Sequence, residues 1–400
     1  MSLKVRTPAF YLPSYSLTSD VLSFIRCGLQ YRYQGVGKIP STRPFQLWFG
    51  EFIHGVMEAG YREYRASVIA GSPDPPPWGP LRIIRLGKQV ERALSDRKIF
   101  PNNRTIRTLG FLRAVKGIND LAPHLFPLIA QAEVPLSTTR IMLPIPHHYQ
   151  TKRTTAYELT GRIDVITSVT LNNPAHASNM LVQYILGALN QEVAQGRVGK
   201  LPQDFEVIID YKGSRRPAIT TGRVGATDYW KIYGWQLRTY AHIRDHQPGS
   251  LPVLLGVVIY LNELFPTWGD LKQLRDDIRD RITDVIPTPG SDDWRIIQMR
   301  EPSRKSPIRK KNREISWDFR MRRALRLEPV YETQVLEAMT RFDRYVRAIE
   351  VCRSKETLWG SILSAWPKNT SDRDTCTACD YQTFCPRYRS GLTSPTLPFV

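Results

Sequence analysis

Apolar residues recur every three or four positions in several stretches of the chain, which is the spacing of an amphipathic helix. Shorter stretches between them are rich in β-branched and aromatic residues, which is typical of strands. The predicted helices are Leu17 to Tyr33, Gln46 to Ala66, Leu86 to Ala130 with breaks at Pro101 and Pro123, Ala177 to Ala194, and Thr227 to Arg244. The predicted strands are Ala132–Leu136, Ala156–Val169, Phe205–Tyr211 and Leu254–Leu261. Interleaved helices and strands predict an α/β protein.

Composition adds a partner class to this picture. The chain has 400 residues, of which 42% are apolar and 23% charged, and its net charge is +19. So much positive charge favours a polyanion, with nucleic acid ahead of an anionic membrane. The first residues lack the apolar run of a signal peptide, and no apolar stretch is long enough to cross a bilayer. We therefore expect a soluble, cytoplasmic protein without a membrane partner.

The most basic stretch runs from 304 to 326. It holds ten Lys or Arg residues, interleaved with Trp317 and Phe319. Such a run can simply be a solvated face, or it can contact phosphates while the aromatic side chains stack on bases. The second interpretation assigns nucleic-acid binding to Arg309, Lys310, Lys311, Arg313, Arg320, Arg322 and Arg323.

Four of the five cysteines form a spaced set. Cys376, Cys379 and Cys385 make a C-x2-C-x5-C cluster, and Cys27 stands near the other end of the chain. Closely spaced thiolates in a reducing compartment usually bind a metal or a cluster. A [4Fe–4S] cluster takes four thiolates, and Cys27 would complete the set. Zinc is the alternative, and Cys352 fits no part of the pattern.

Three acidic or basic side chains suit a second metal. In F-E-V-I-I-D-Y-K-G, strand alternation puts Asp210 and Lys212 on one face, roughly 6–7 Å apart. They can hold a divalent ion and a water, or they can form a structural ion pair. Asp164, in L-T-G-R-I-D-V-I, is an acid within an apolar strand and needs a partner. A metal shared with Asp210 would supply one; a surface or turn aspartate is the plainer alternative.

Two helices add polar side chains. His54, in F-G-E-F-I-H-G-V, lies on the second predicted helix, where a lone histidine is more often an ordinary core or surface residue. Gln236 and Tyr240 are four positions apart on one face of a later helix. Alone, that pair indicates no more than an amphipathic helix.

Taken in order, these residues resemble a known family. His, then G-x-x-D, then D-x-K, then Q-x-x-x-Y is similar to the RecB-like branch of the PD-(D/E)XK nuclease superfamily. An early Cys with a late C-x2-C-x5-C is similar to its iron–sulfur members, which include the RecB-family exonucleases of CRISPR adaptation and the nuclease domain of the AddB subunit. The resemblance extends from about Ser16 to Arg389.

The resemblance implies a restriction-endonuclease-like core, a central mixed β-sheet flanked by helices, with the N- and C-terminal segments joined by a [4Fe–4S] cluster on Cys27, Cys376, Cys379 and Cys385. It implies one nuclease unit over residues 1–400. Its parts would be a helical part (16–130), a core (131–262) with a helical insertion at about 170–204, and a basic, helical part (263–400) containing the cysteine loop 376–385.

The resemblance also implies roles for individual residues. Asp164, Asp210, His54 and the backbone carbonyl of Tyr211 would ligate Mg²⁺ or Mn²⁺. Lys212 would orient water or stabilise the phosphate. The remaining family positions are Gln236 and Tyr240, which would position the strand, and Glu133, a candidate accessory acid.

The implied function is a divalent-metal-dependent DNA exonuclease that favours single strands, acting in DNA repair, recombination, CRISPR adaptation or defence beside a helicase or defence protein. Two alternatives stay open. The first is an inactive DNA-binding scaffold subunit of a nuclease–helicase or defence complex, and the second is an unrelated zinc protein that binds DNA or RNA. The insertion after Asp164 is longer than the family pattern, and Asp stands where many relatives carry Glu before x-K.

Overall fold

The fold is α/β, with one mixed six-stranded sheet flanked by helices. The structure is a computed structural model that describes residues 12–41, 46–142, 155–220, 227–299, 315–369 and 373–385. The strands are β1 Ser14–Ser16, β2 Ile129–Ile141, β3 Ala156–Thr170, β4 Asp204–Lys212, β5 Val253–Tyr260 and β6 Leu325–Pro329.

Three of the longer helices flank the sheet. We call Gln46–Ile69 the histidine helix, Tyr229–Asp245 the glutamine helix and Glu332–Trp359 the long helix. The other α-helices are Leu22–Arg26, Gly28–Tyr31, Pro80–Asp96, Arg104–Lys116, Ala122–Leu125, Pro174–Ala177, Met180–Ala194, Trp268–Arg279, Asp292–Gln298, Trp317–Ala324, Ile362–Ala365 and Arg373–Thr377. Leu17–Val21, Arg32–Val36 and Gly117–Leu121 are π-helical, and Phe126–Leu128, Leu261–Leu264 and Gln382–Phe384 are 3₁₀ turns.

Strand β3 pairs with three other strands, more than any other strand of the sheet. β2 pairs antiparallel along one of its edges. The other edge is shared, because β1 pairs parallel with residues 158–160 and β4 pairs antiparallel with residues 165–170. Residues 161–164 therefore face a gap towards which β1 and β4 both run with their C-terminal ends. β5 lies parallel to β4, and β6 closes the sheet antiparallel to β5.

The two faces of the sheet bury separate cores. Side chains of Val207, Ile209 and Tyr211 pack with the histidine helix and with Met180–Ala194. Ile208 points to the opposite face, where the glutamine helix and the long helix pack. This alternation along β4 confirms the predicted period of two, and it directs Asp210 and Lys212 towards the glutamine helix.

The predicted helix from Leu17 to Tyr33 is wrong at its middle. Cys27 has an extended backbone (φ −163°), and it separates Leu22–Arg26 from Gly28–Tyr31. The amide of Leu29 donates to the carbonyl of Pro367 at 2.8 Å instead of continuing the helix. Cys27 therefore lies at the junction between these two short helices.

Other predicted boundaries also shift. The helix predicted from Leu86 to Ala130 is three main pieces, and its last residues belong to β2, which begins at Ile129 and is longer than expected. The helix predicted from Ala177 to Ala194 is confirmed as Met180–Ala194, which follows the short helix Pro174–Ala177. Within the part of the chain that the structure describes, no helix combines the length and apolar character needed to cross a membrane.

Candidate active site

The gap beside β3 holds the predicted acidic residues. Asp164 is the last residue of β3 before the ladder to β4 begins, and its Oδ2 accepts a hydrogen bond from the amide of Tyr211 at 2.8 Å. That bond takes the place of a strand-to-strand bond where β4 leaves β3. Asp164 and Asp210 thus come from two strands that separate at this point, which leaves room between them for a ligand.

Asp210 anchors a polar chain that crosses to the glutamine helix. Lys212 Nζ lies 2.6 Å from Asp210 Oδ2 and donates to Gln236 Oε1 at 3.1 Å. Gln236 Nε2 contacts both Asp210 Oδ1 at 2.9 Å and the Tyr240 hydroxyl at 3.0 Å. D-x-K and Q-x-x-x-Y therefore form one network, although Lys212 and Gln236 lie 24 positions apart in the chain. Lys212 also lies over the ring of Tyr233, 4.8 Å from its centroid.

The other side of the gap carries a three-residue cluster. One ligand atom each from His54, Glu133 and Asp164 lie within 4.8 Å of one another. His54 Nδ1 is 3.6 Å from Asp164 Oδ2, and the His54 ring packs edge-on against Tyr211. Glu133 lies opposite Asp164 because Ala132 pairs with Val165 and Val134 with Ile163.

Glu133 has an unusual backbone for a strand residue. Its φ is +53°, a conformation that a non-glycine side chain rarely adopts and that costs about 1–3 kcal/mol. Its carboxylate pairs with Arg162 at 2.7 Å. The structure thus brings Glu133 to the cluster through a local distortion of β2, which agrees with its selection as an accessory acid.

Burial sets the charge state of the cluster. Burial raises the pKa of Asp164 well above its ordinary value, and the neighbouring Asp210 charge raises it further. Burial lowers the pKa of His54, so the imidazole is neutral at pH 7 and has a lone pair to offer. Burial also raises the pKa of Glu133. A bound cation would reverse the two carboxyl shifts because it favours the charged forms.

The donor set fits a hard divalent ion. Carboxylates and an imidazole are ligands for Mg²⁺ or Mn²⁺, whereas a soft metal would select sulfur. Among the described residues, His54, Glu133 and Asp164 have ligand atoms close enough to share such an ion. Asp210, whose Oδ2 contacts the Lys212 ammonium at 2.6 Å, lines the same space and could add a fourth ligand. Tyr211 lies beside these residues, because its amide donates to Asp164 and its ring packs against His54.

A glycine contact sets the distance between β4 and the histidine helix. A Cβ on Gly213 would lie 2.9 Å from the backbone Cα of Gly50. A helix backbone cannot yield as a flexible side chain can, so β4 and the helix approach this closely only because residue 213 has no side chain. The contact keeps His54 within reach of Asp164.

We expect Gly213→Ala to lower the free energy of unfolding by about 1–3 kcal/mol, because the added methyl group forces the two backbones apart. Gly50→Ala is the matched control. A Cβ there meets nothing within 4 Å, and alanine favours the helix by about 0.5–1 kcal/mol. Denaturant unfolding of both variants checks the pair, and equal stabilities would show that the close approach imposes no constraint.

A cleft of about 530 Å³ gives access to these residues. We call it the site cleft. Its walls are the end of β1 with Ser16–Ser19, residues 160–164 of β3, and the face of the glutamine helix that carries Gln236 and Tyr240. His54, Asp164, Asp210 and Lys212 all line it. Every predicted member of the catalytic set therefore reaches one solvent-accessible space.

Sequence reasoning missed two supports of this site. Arg162 pairs with Glu133 and lines the site cleft; it lies two positions before Asp164, so strand alternation could have placed it there. Glu263, which is 7% exposed, binds the Arg216 amide at 2.8 Å and the Arg323 guanidinium at 2.9 Å. This contact fixes the chain just after Lys212, and no local pattern indicated it.

The cysteine loop packs against the N-terminal helices. The Tyr33 ring lies 5.5 Å from that of Tyr381 and 5.7 Å from that of Phe384. The Tyr381 hydroxyl donates to the carbonyl of Ile39 at 2.8 Å. Arg32 binds Glu356 through two hydrogen bonds of 2.6 and 2.5 Å. The two cysteine-bearing segments are thus neighbours in the fold.

The cysteine side chains also converge. Burial raises the pKa of the Cys379 thiol, and the nearby Cys27, Cys385 and Cys376 raise it further. Cys352 is separate: it is buried in the long helix, and burial raises its pKa to about 11. Within the described ranges, no three cysteine sulfurs lie within 4.8 Å of one another, so the structure shows no formed metal-binding group at these cysteines.

The assignment of nucleic-acid binding needs correction at Arg320 and Arg323, two members of the basic stretch. Arg309, Lys310, Lys311 and Arg313 lie outside the described residues. Arg320 and Arg323 are 7% and 2% exposed, so phosphates cannot reach them. Arg320 binds Asp120, and Arg323 binds Glu263 and Thr283. Arg322 alone of the described three is exposed, and it pairs with Asp318.

We therefore expect Arg323→Ala to cost about 3–5 kcal/mol of unfolding free energy, because it leaves the Glu263 carboxylate buried without its cation. Arg322→Ala, the neighbouring control, removes an exposed pair and should cost at most about 1 kcal/mol. Thermal or denaturant unfolding measures both. If Arg323→Ala proved as stable as Arg322→Ala, Arg323 would have no structural role.

Comparison with known proteins adds no relative: no protein-family model and no curated protein matches this chain.

Proposed function

We propose that this protein is a divalent-metal-dependent DNA nuclease with a PD-(D/E)XK-type core. The observation that carries the proposal is the convergence of seven predicted residues on one site. They come from three strands and two helices and are His54, Glu133, Asp164, Asp210, Lys212, Gln236 and Tyr240. Acids, a neutral imidazole and a lysine beside an open cleft are the groups that phosphodiester hydrolysis uses.

Each side chain would take a distinct part. His54, Asp164, Asp210 and Glu133 would hold Mg²⁺ or Mn²⁺, which, when bound, polarises the phosphate and lowers the pKa of water. Lys212, held by Asp210 and Gln236, places a positive charge where the phosphate would lie. The Gln236–Tyr240 hydrogen bond keeps the amide turned towards Asp210. Arg162, at the rim, can meet the next phosphate of the strand.

The C-x2-C-x5-C spacing and the packing of its loop against the segment that follows Cys27 support a second metal centre. We propose that Cys27, Cys376, Cys379 and Cys385 bind a [4Fe–4S] cluster, which takes four thiolates. The cluster would act as a structural link, because it lies on the segments that already pack together, outside the residues that line the site cleft. Cysteines that bind a metal must stay out of disulfides, which implies a reducing compartment such as the cytoplasm.

The test is cleavage of end-labelled DNA by protein freed of divalent ions. We expect no digestion in EDTA and digestion when Mg²⁺ or Mn²⁺ is restored, with single-stranded DNA cut faster than duplex. RNA of the same sequence, included in parallel, reports the sugar preference. Wild-type protein that binds DNA and cuts neither substrate with either metal would instead be the inactive scaffold.

A further inference from the structure

A second cleft opens from the same metal site. It lies between the histidine helix and Pro80–Asp96 and has a volume of about 910 Å³; we call it the helix cleft. Glu58 and Arg62 line one side and Ala93 and Arg97 line the other, while Gly55 and Val90 are in contact where the two helices pack, so they form its floor. The helix cleft and the site cleft share three residues, which are His54, Arg162 and Asp164. The metal site is therefore the junction of two clefts and does not lie at the end of one.

This arrangement bears on the kind of DNA end that the enzyme needs. A groove that is closed just beyond the reacting phosphate would admit only a free end, because an uninterrupted strand could not pass. Within the ranges that the structure describes, the groove continues on both sides of Asp164. A strand can enter along the glutamine helix, cross the metal site and leave between the two helices.

The helix cleft has the chemistry of a single-strand path. Its accessible apolar surface includes Val90 and Ala93, which can cover the faces of unpaired bases. The arginines of its rim are well exposed, with side-chain exposures of 75% for Arg62, 57% for Arg97 and 65% for Arg162.

Each of these arginines pairs with a neighbouring glutamate. The three pairs are Arg62–Glu58, Arg97–Glu51 and Arg162–Glu133. Exposed pairs of this kind contribute at most about 1 kcal/mol, so a phosphate can replace the carboxylate at little cost. A metal that draws Glu133 inward would free Arg162 in the same way. The rim can thus exchange internal ion pairs for contacts with a DNA backbone.

We propose that an uninterrupted single DNA strand passes through both clefts and is cut internally, so that a free end is not required. This inference rests on the proposed nuclease function. Each cut consumes one water: its oxygen bonds to phosphorus, one phosphorus–oxygen bond to a sugar breaks, and the leaving oxygen takes a proton.

Covalently closed, circular single-stranded DNA tests the proposal, because it has no ends. We expect wild-type protein with Mn²⁺ to cut the circle at a rate within about tenfold of the rate for the linear strand of the same sequence. Digestion of the linear strand with circles left intact, more than about a hundredfold slower, would overturn the internal cut and leave the nuclease function standing. No cleavage of either substrate would overturn both.

A cleft-blocking variant tests the path itself. Ala93 is exposed on Pro80–Asp96 and lines the helix cleft, so Ala93→Trp should fill the cleft and slow the cutting of circles by at least about tenfold. Ala66→Trp is the matched control, because Ala66 is exposed on the histidine helix outside both clefts. Thermal unfolding verifies that both variants fold. Circles cut by Ala93→Trp at the wild-type rate would remove the helix cleft from the path.

Discussion

Asp210→Asn is expected to reduce DNA cleavage by at least about three orders of magnitude while the fold is retained. Asparagine has nearly the same shape and can still contact Gln236, but it lacks the negative charge that Lys212 and a divalent ion both require. The Asp210 carboxylate contacts Lys212 at 2.6 Å and Gln236 at 2.9 Å, so the substitution removes charge from the centre of the network. Single-turnover cleavage at saturating DNA measures the effect.

Asp204→Asn is the matched control for this variant. Asp204 begins the same strand, β4, and six residues at about 3.3 Å each place it roughly 20 Å from Asp210. The control should cleave at the wild-type rate, and both variants should unfold at temperatures close to that of the wild type. Near-normal cleavage by Asp210→Asn would remove Asp210 from the catalytic set.

Cys27→Ala is expected to remove the iron, the brown colour and several kcal/mol of stability. The proposed cluster joins segments that are far apart in the chain, and binding energy at a structural metal site is folding energy. For a chain of this size we expect the melting temperature to fall by roughly 10 °C or more. Iron analysis, visible absorption and thermal unfolding of protein purified without oxygen measure these losses.

Cys352→Ala controls for the loss of any cysteine. Cys352, on the buried face of the long helix, is only 7% exposed. Its truncation should lower the free energy of unfolding by only about 1 kcal/mol, because the cavity that it leaves is small. Iron content should not change. If Cys27→Ala kept full iron while Cys352→Ala lost it, the fourth ligand would be Cys352. A colourless, zinc-containing wild-type protein would reject the iron–sulfur cluster.

The sequence predicted those parts of the site that depend on the repeat of a single strand or helix. Strand alternation is a local property, so the sequence alone could place Asp210 and Lys212 on one face of β4. Helical spacing likewise placed Gln236 beside Tyr240. The long-range step, which brings that helix face to β4, depended on the resemblance to a nuclease family and on no physical pattern. The structure supplies the contact, a 2.9 Å hydrogen bond between Gln236 and Asp210.

Long-range contacts explain the predictions that failed. The apolar spacing runs through Cys27 without interruption, but Pro367 binds the Leu29 amide and packs where a Cβ on Gly28 would lie. Gly28 was the one local sign of that contact. The assignment of nucleic-acid binding to Arg320 and Arg323 failed for a similar reason. The partners that bury Arg320 and Arg323 are Asp120 and Glu263, which are 200 and 60 residues away, so a count of charges could not reveal them.

Glu133 shows a third kind of limit. Its place in the strand is visible in the sequence, but its φ of +53° is not a strand conformation, although Ala132 and Val134 on either side pair with β3. Strand propensity contains no signal for such a bend. A strained residue that turns a carboxylate towards His54 and Asp164 is typical of functional sites, where tertiary packing maintains an unfavourable conformation.

The most direct test joins metal binding to cleavage in the same sample. Metal-free wild-type protein and Asp164→Asn are titrated with Mn²⁺, bound ion is measured by electron paramagnetic resonance, and cleavage of labelled single-stranded DNA is followed at each step. Wild-type protein should cut in proportion to its bound Mn²⁺, and Asp164→Asn should lose both the tight binding and the cleavage. Wild-type protein that fills its Mn²⁺ site without cutting, or that cuts equally well in EDTA, would contradict a metal-dependent nuclease.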